Sequence, residues 1–131
     1  MDKDNFLIFI VDDDIFMIQL IVQHLEKNPN YSVTSFDNGE DCIKELGMNP
    51  DVVILDHFMD SGGMEDCMNG AEVLTKIKEQ KKELPVIIHS GQDSSGVTFE
   101  FVSGDAHEYI QKSENSLNEI ENCINKLFAY A

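Results

Sequence analysis

Arginine is absent, and nine lysines face 25 aspartates and glutamates, which leaves a formal charge of −16. A surface so acidic repels polyanions, because gripping a phosphate backbone requires a basic footprint. No nucleic acid and no membrane are therefore expected as partners; a divalent cation or a basic protein patch suits the charge better. Cysteine is scarce too. Cys42, Cys67 and Cys123 lie far apart and form no CxxC pair, which argues against a disulfide framework or structural zinc and fits a reducing, cytoplasmic setting. Long apolar runs are missing. Phe6 to Val11 is too short, and the acidic flank before it wrongly charged, for a membrane span or an export signal.

What is present describes an ordinary globule. A chain of 131 residues, 42% apolar and 26% charged with only 3 prolines, is expected to fold as one domain over residues 1–131. Phe6 to Val11 is continuously apolar and stops at Asp12-Asp13-Asp14, the pattern of a strand buried on both faces. Ile15 to Lys27 reads as a helix that closes at Asn28-Pro29-Asn30. The alternation continues with a strand over Tyr31 to Phe36, a short helix over Gly39 to Leu46, and a strand over Asp51 to Leu55 that runs into Asp56. A helix over Ala71 to Lys82 follows, then a buried strand from Leu84 to Ile88 that ends at His89-Ser90-Gly91. His107 to Gln111 is a fifth strand ending at Lys112. The last helix opens with the capping-box pattern Ser116-x-x-Glu119 and is striped by Leu117, Ile120, Ile124 and Leu127. Between the last two strands, Asp93 to Ser103 favours strand by propensity, although the alternation leaves room there only for a helix.

Five such units predict an α/β fold, a parallel sheet with helices on both faces, whose ligands sit beyond the carboxyl ends of the strands. Those ends carry Asp12, Asp13, Asp14, Asp56, Ser90 and Lys112. With strand order 2-1-3-4-5, Asp13 and Asp56 become neighbours, and two carboxylates at close quarters resist joint ionisation unless a cation lies between them. All-oxygen ligands select a hard ion, Mg²⁺ first and Mn²⁺ as its substitute. A carboxylate beside such an ion, with a hydroxyl and an ammonium, is the equipment of phosphoryl transfer, which makes Asp56 a candidate phosphoacceptor. Asp14 is the expected N-cap of the first helix.

These residues resemble the receiver domain of two-component response regulators over nearly the whole chain. Val11-Asp12-Asp13 matches the family's acidic pair, and Asp56-His57-Phe58-Met59 its phospho-accepting aspartate with x-x-Met. Met68-Asn69-Gly70 is similar to its Met-Asp-Gly, Leu84 through Gly91 to its Leu-Pro-Val strand ending in Ser or Thr, and Tyr109-Ile110-Gln111-Lys112 to its Tyr-x-x-Lys. The resemblance implies a flavodoxin-like fold in which Asp13, Asp56 and the Phe58 carbonyl hold Mg²⁺, with Asp12 acting through water. It implies that Ser90 bonds the phosphoryl group, that Lys112 pairs with it and that Tyr109 changes rotamer on activation, unless Tyr109 is plain core. The phosphoryl donor implied is a histidine kinase or histidine phosphotransfer protein.

The departures are local. Asp60 replaces a proline, residues 61–67 form a Gly-rich acidic insertion, and Ser113 stands where the family has a proline after a cis peptide. The resemblance implies that Phe58 and Gln92 flank the phosphoryl group at the two positions that tune attacking water, and bulky, apolar Phe58 is expected to help exclude water and prolong the phosphorylated state. His57 and His89 adjoin two of the site residues, but neighbours along a strand point to opposite faces, which argues against a zinc or phosphohistidine site. Cys67 reads as an incidental thiol.

The expected protein is thus a stand-alone receiver, since only one helix fits after Lys112. Modification is expected to change the face around residues 93–103, the fifth strand and the last helix, with output by contact with another protein or by passing the phosphoryl group onward. The alternatives are a phosphorylation-independent pseudo-receiver and a small Mg²⁺-dependent phosphatase, for which Asp12-x-Asp14 fits but no capping domain remains.

Overall fold

The computed structural model describes residues 5–56, 70–91 and 106–129. Five strands, β1 (Phe6–Val11), β2 (Tyr31–Phe36), β3 (Val52–Leu55), β4 (Val86–Ser90) and β5 (Glu108–Gln111), form one parallel sheet in the order β2-β1-β3-β4-β5. Among the described residues four helices flank it: α1 (Ile15–Leu25), α2 (Gly39–Lys44), α3 (Gly70–Gln80) and α4 (Ser116–Ala129). This is the expected flavodoxin-like arrangement.

Alternation along the strands divides the interior into two cores. Phe9, Val11, Val53, Leu55, Val86, Ile88 and Tyr109 pack with Cys42 of α2 and with Val73, Leu74 and Ile77 of α3. Ile8, Ile10, Ile54, Ile87 and Ile110 face the other way, onto Ile18 and Ile21 of α1 and Ile120 and Ile124 of α4. A strand covered on both sides must be apolar at every position, which is why β3 reads Val-Val-Ile-Leu and is buried throughout. The register of β1 and β3 is pinned at its far end, where the Asp51 carboxylate accepts from the Leu7 N–H at 2.8 Å.

Several ends differ from the sequence reading. Helix α1 stops at Leu25, where the Asn28 N–H donates to the Leu25 carbonyl and starts the turn through Pro29. Helix α2 ends at Lys44 and tightens into a 3₁₀ turn over Leu46–Met48, closed by Asn49 in the left-handed region at φ 60°. The expected helix over Asp93 to Ser103, the insertion 61–67 and residues His57, Phe58, Cys67 and Gln92 lie outside the described residues. Among the described residues no helix is long and apolar enough to cross a membrane.

Candidate functional site

Strand register brings the acidic residues together. Ile10 pairs with Ile54 and Val11 with Leu55, so the next residues, Asp12 and Asp56, leave the sheet side by side. The Asp12 N–H donates to the Phe36 carbonyl and the Asp56 N–H to the Val11 carbonyl. Both aspartates are buried, Asp13 is half-buried, and carboxylate oxygens of all three lie within 4.8 Å of one another. The Asp12 carboxylate also accepts from the Asp14 N–H at 2.9 Å, which fixes its orientation.

The opposite charge arrives from β5. The Lys112 N–H donates to the Ser90 carbonyl at 2.7 Å, continuing the β4–β5 ladder, and the ammonium Nζ reaches 3.2 Å from Asp12 Oδ2 and 3.6 Å from Asp56 Oδ1. Ser90, fully buried, closes β4 opposite Gln111. Five of the expected residues, Asp12, Asp13, Asp56, Ser90 and Lys112, thus share one rim of the sheet. Tyr109 is buried in the core on the α3 side.

Burial raises the Asp12 pKa above the ordinary carboxylate value, assisted by the charge of Asp13 and opposed by the Asp14 N–H and by Lys112. For Lys112 burial acts against the charged form, but Asp12 and Asp56 outweigh it and hold the pKa above that of a free lysine. Among the described residues three carboxylates stand against one ammonium, an excess of negative charge. An all-oxygen donor set with that excess of charge fits a hard divalent cation.

Asp14 stands apart from this set. Its exposed carboxylate accepts from the Phe16 and Met17 N–H groups at 3.0 and 3.3 Å and caps α1 as expected. This engagement leaves it unsuited to serve as the acid of an Asp-x-Asp phosphatase pair.

The link after Lys112 holds two surprises. Among the described residues there is no cis peptide, so Ser113 follows Lys112 through a trans bond. Ser116 is the first residue of α4 rather than the cap of a box: its hydroxyl donates to the Ser113 carbonyl at 2.9 Å, and the Glu119 N–H bonds to the Asn115 carbonyl instead. That hydroxyl also lies 3.0 Å from Nε2 of buried His89, a contact the sequence reading missed. The available signal was the spacing Ser116, Ile120, Ile124, which places the serine on the buried stripe of its helix.

A family profile described as the response regulator receiver domain matches residues 8–125. The chain belongs to this receiver family. It is 35% identical over 111 residues to a protein-glutamate methylesterase/protein-glutamine glutaminase of Clostridium acetobutylicum, covering 82% of this chain and 30% of that protein. The first curated relatives are longer, and the chain spans 30% and 37% of their lengths. Among solved structures it is similar to the response regulator TrrA of Thermotoga maritima in complex with Mg²⁺–BeF, with 29% identity, TM-score 0.78 and coverage of 93% of this chain and 98% of the other. A DNA-binding response regulator of the LuxR family from Staphylococcus aureus is similar at 30% identity and TM-score 0.78, covering 94% and 98%. As a receiver domain, the chain is a phosphoacceptor of a two-component system rather than a classical enzyme.

Proposed function

We propose that Asp56 accepts a phosphoryl group from the phosphohistidine of a histidine kinase or histidine phosphotransfer protein, and that the modified domain signals by contact with another protein. One observation carries this reading: a buried carboxylate at the end of β3 lies beside two further carboxylates and an ammonium that reaches both it and Asp12. An Asp56 oxygen forms the new P–O bond as the donor's P–N bond breaks, its electron pair remaining on the imidazole nitrogen. The Lys112 ammonium, already beside Asp56, pairs with a phosphoryl oxygen, and the Ser90 hydroxyl donates to another. Asp13 and Asp56, with Asp12 acting through water, and by the family resemblance the Phe58 carbonyl, would hold Mg²⁺, or Mn²⁺ in its place, which when bound neutralises negative charge on the phosphoryl oxygens. The relative from Thermotoga maritima, solved with Mg²⁺–BeF, supports that assignment. The −16 charge supports a protein rather than a nucleic acid as the output partner.

The test is intact mass after incubation with acetyl phosphate and Mg²⁺. The parent gains one phosphoryl group and Asp56→Asn gains none. A parent that gains nothing, and whose amide spectrum does not respond to beryllofluoride with Mg²⁺, is instead a pseudo-receiver.

A further inference from the structure

The link 112–115 joins β5 to α4 and carries the Lys112 ammonium to Asp12 and Asp56. Its main chain is tied at both ends, by the Lys112 N–H to the Ser90 carbonyl and by the Ser116 N–H to the Ser113 carbonyl at 3.2 Å. From inside the sheet one side-chain relay reaches it: His89 Nε2 to Ser116 Oγ, and Ser116 Oγ to the Ser113 carbonyl.

The direction of this relay follows from proton counting. A serine hydroxyl has one proton, and a carbonyl oxygen only accepts, so Oγ gives its proton to Ser113 and must receive one from the ring. His89 is therefore the Nε2–H tautomer, and its Nδ1 keeps a bare lone pair. Among the described residues that buried Nδ1 has no hydrogen-bond partner. Core filling alone does not account for such a residue. An apolar side chain at this position, opposite Ile110 in the ladder, would occupy the space without burying an acceptor that has no partner among the described residues.

We propose that His89 is a positioning residue for the site: through Ser116 and the Ser113 carbonyl it fixes the link that bears Lys112, and so sets the approach of the ammonium to Asp56. This rests on Asp56 being the phosphoacceptor. Because His89 precedes Ser90 in β4, the strand that presents the site hydroxyl also anchors the link that presents the site ammonium. The two phosphoryl-binding groups then move as one unit.

The experiment compares the parent, His89→Leu, His89→Gln and Ser116→Ala in the full chain. His89→Leu keeps the bulk and leaves the Ser116 hydroxyl still donating to Ser113, so the fold is retained; Ser116→Ala cuts the relay at its second member should the leucine variant fail to fold. Nitrogen NMR of the parent should show Nε2 protonated and Nδ1 bare. Exchange of the Lys112 amide should quicken about tenfold in His89→Leu and in Ser116→Ala, and stay near the parent in His89→Gln, whose amide can restore the donor. The initial rate of modification by acetyl phosphate should fall about tenfold in the same two variants and recover in His89→Gln. Unchanged Lys112 exchange in the folded variants, or a protonated Nδ1, overturns the inference. If the parent is never modified while Lys112 exchange still responds, the fault lies in the phosphoacceptor reading and not in the anchoring.

Discussion

The carboxylate side of the pocket and the ammonium side are built by different means. Asp12 and Asp56 are the first residues past two adjacent, fully buried strand ends, and the pairing of Val11 with Leu55 sets them next to each other before any helix is considered. Lys112 lies beyond β5 in a link whose course depends on the first turn of α4, held by Ser116 and, behind it, His89. Backbone ladders thus fix one side, whereas on the other a single ladder bond, Lys112 N–H to the Ser90 carbonyl, is joined by side-chain packing between a helix and the sheet.

The largest effect should come from removing the packed side's charge. Lys112→Ala is expected to slow modification of Asp56 by acetyl phosphate by roughly 10²–10³-fold, the loss typical of deleting one group that stabilises developing oxyanion charge. Mass spectrometry of timed samples checks this. A rate within twofold of the parent would mean that the ammonium merely balances the carboxylates.

The same division decides what the sequence revealed. Strand ends were legible because a doubly covered strand must be apolar throughout, so Phe6–Val11 and Val52–Leu55 announce where Asp12 and Asp56 begin. The sheet order and the sharing of one rim followed from the alternation of elements and from the receiver motifs. Helix ends were less legible, since α1 and α2 close through main-chain turns at Leu25 and at Leu46–Met48 that residue type constrains weakly. Ser116 was assigned to a capping box because Ser-x-x-Glu is a local pattern, yet its hydroxyl turns inward to a histidine 27 residues earlier in the chain. Local pattern cannot register a contact made by packing.

The two sides should also respond oppositely to pH. Burial, with the Lys112 charge nearby, lowers the His89 pKa from 6.5 to about 4. Between those values the unfolded chain binds the proton that the folded one refuses, so the His89 contribution to stability is fully present above pH 6.5 and is lost as the pH drops toward 4, by about 3 kcal/mol at most. Asp12 has the reverse sign. Its raised pKa means that the folded state holds the proton longer, and stability falls as the pH rises from 3.8 through the folded value. Urea titrations of the metal-free protein from pH 4 to 7 should show a shallower acid loss for His89→Leu than for the parent, and for Asp12→Asn a smaller penalty on the neutral side. Parallel curves for all three would remove the distinction.

The finest contrast lies within the acidic triplet itself, where adjacent carboxylates do different work. Asp14 caps α1 through two N–H groups, so Asp14→Ala should cost about 1 kcal/mol of stability in urea while leaving Mg²⁺ affinity, measured by calorimetry, unchanged. A carboxylate oxygen of Asp13 lies within 4.8 Å of one from Asp12 and one from Asp56, so Asp13→Asn should weaken Mg²⁺ at least about tenfold with little loss of stability, because one of three mutually repelling charges has gone. Equal loss of Mg²⁺ affinity in the two variants would mean that the cation responds to the summed charge of the turn. It would then owe little to the register that carries Asp12 and Asp56 out of the sheet together.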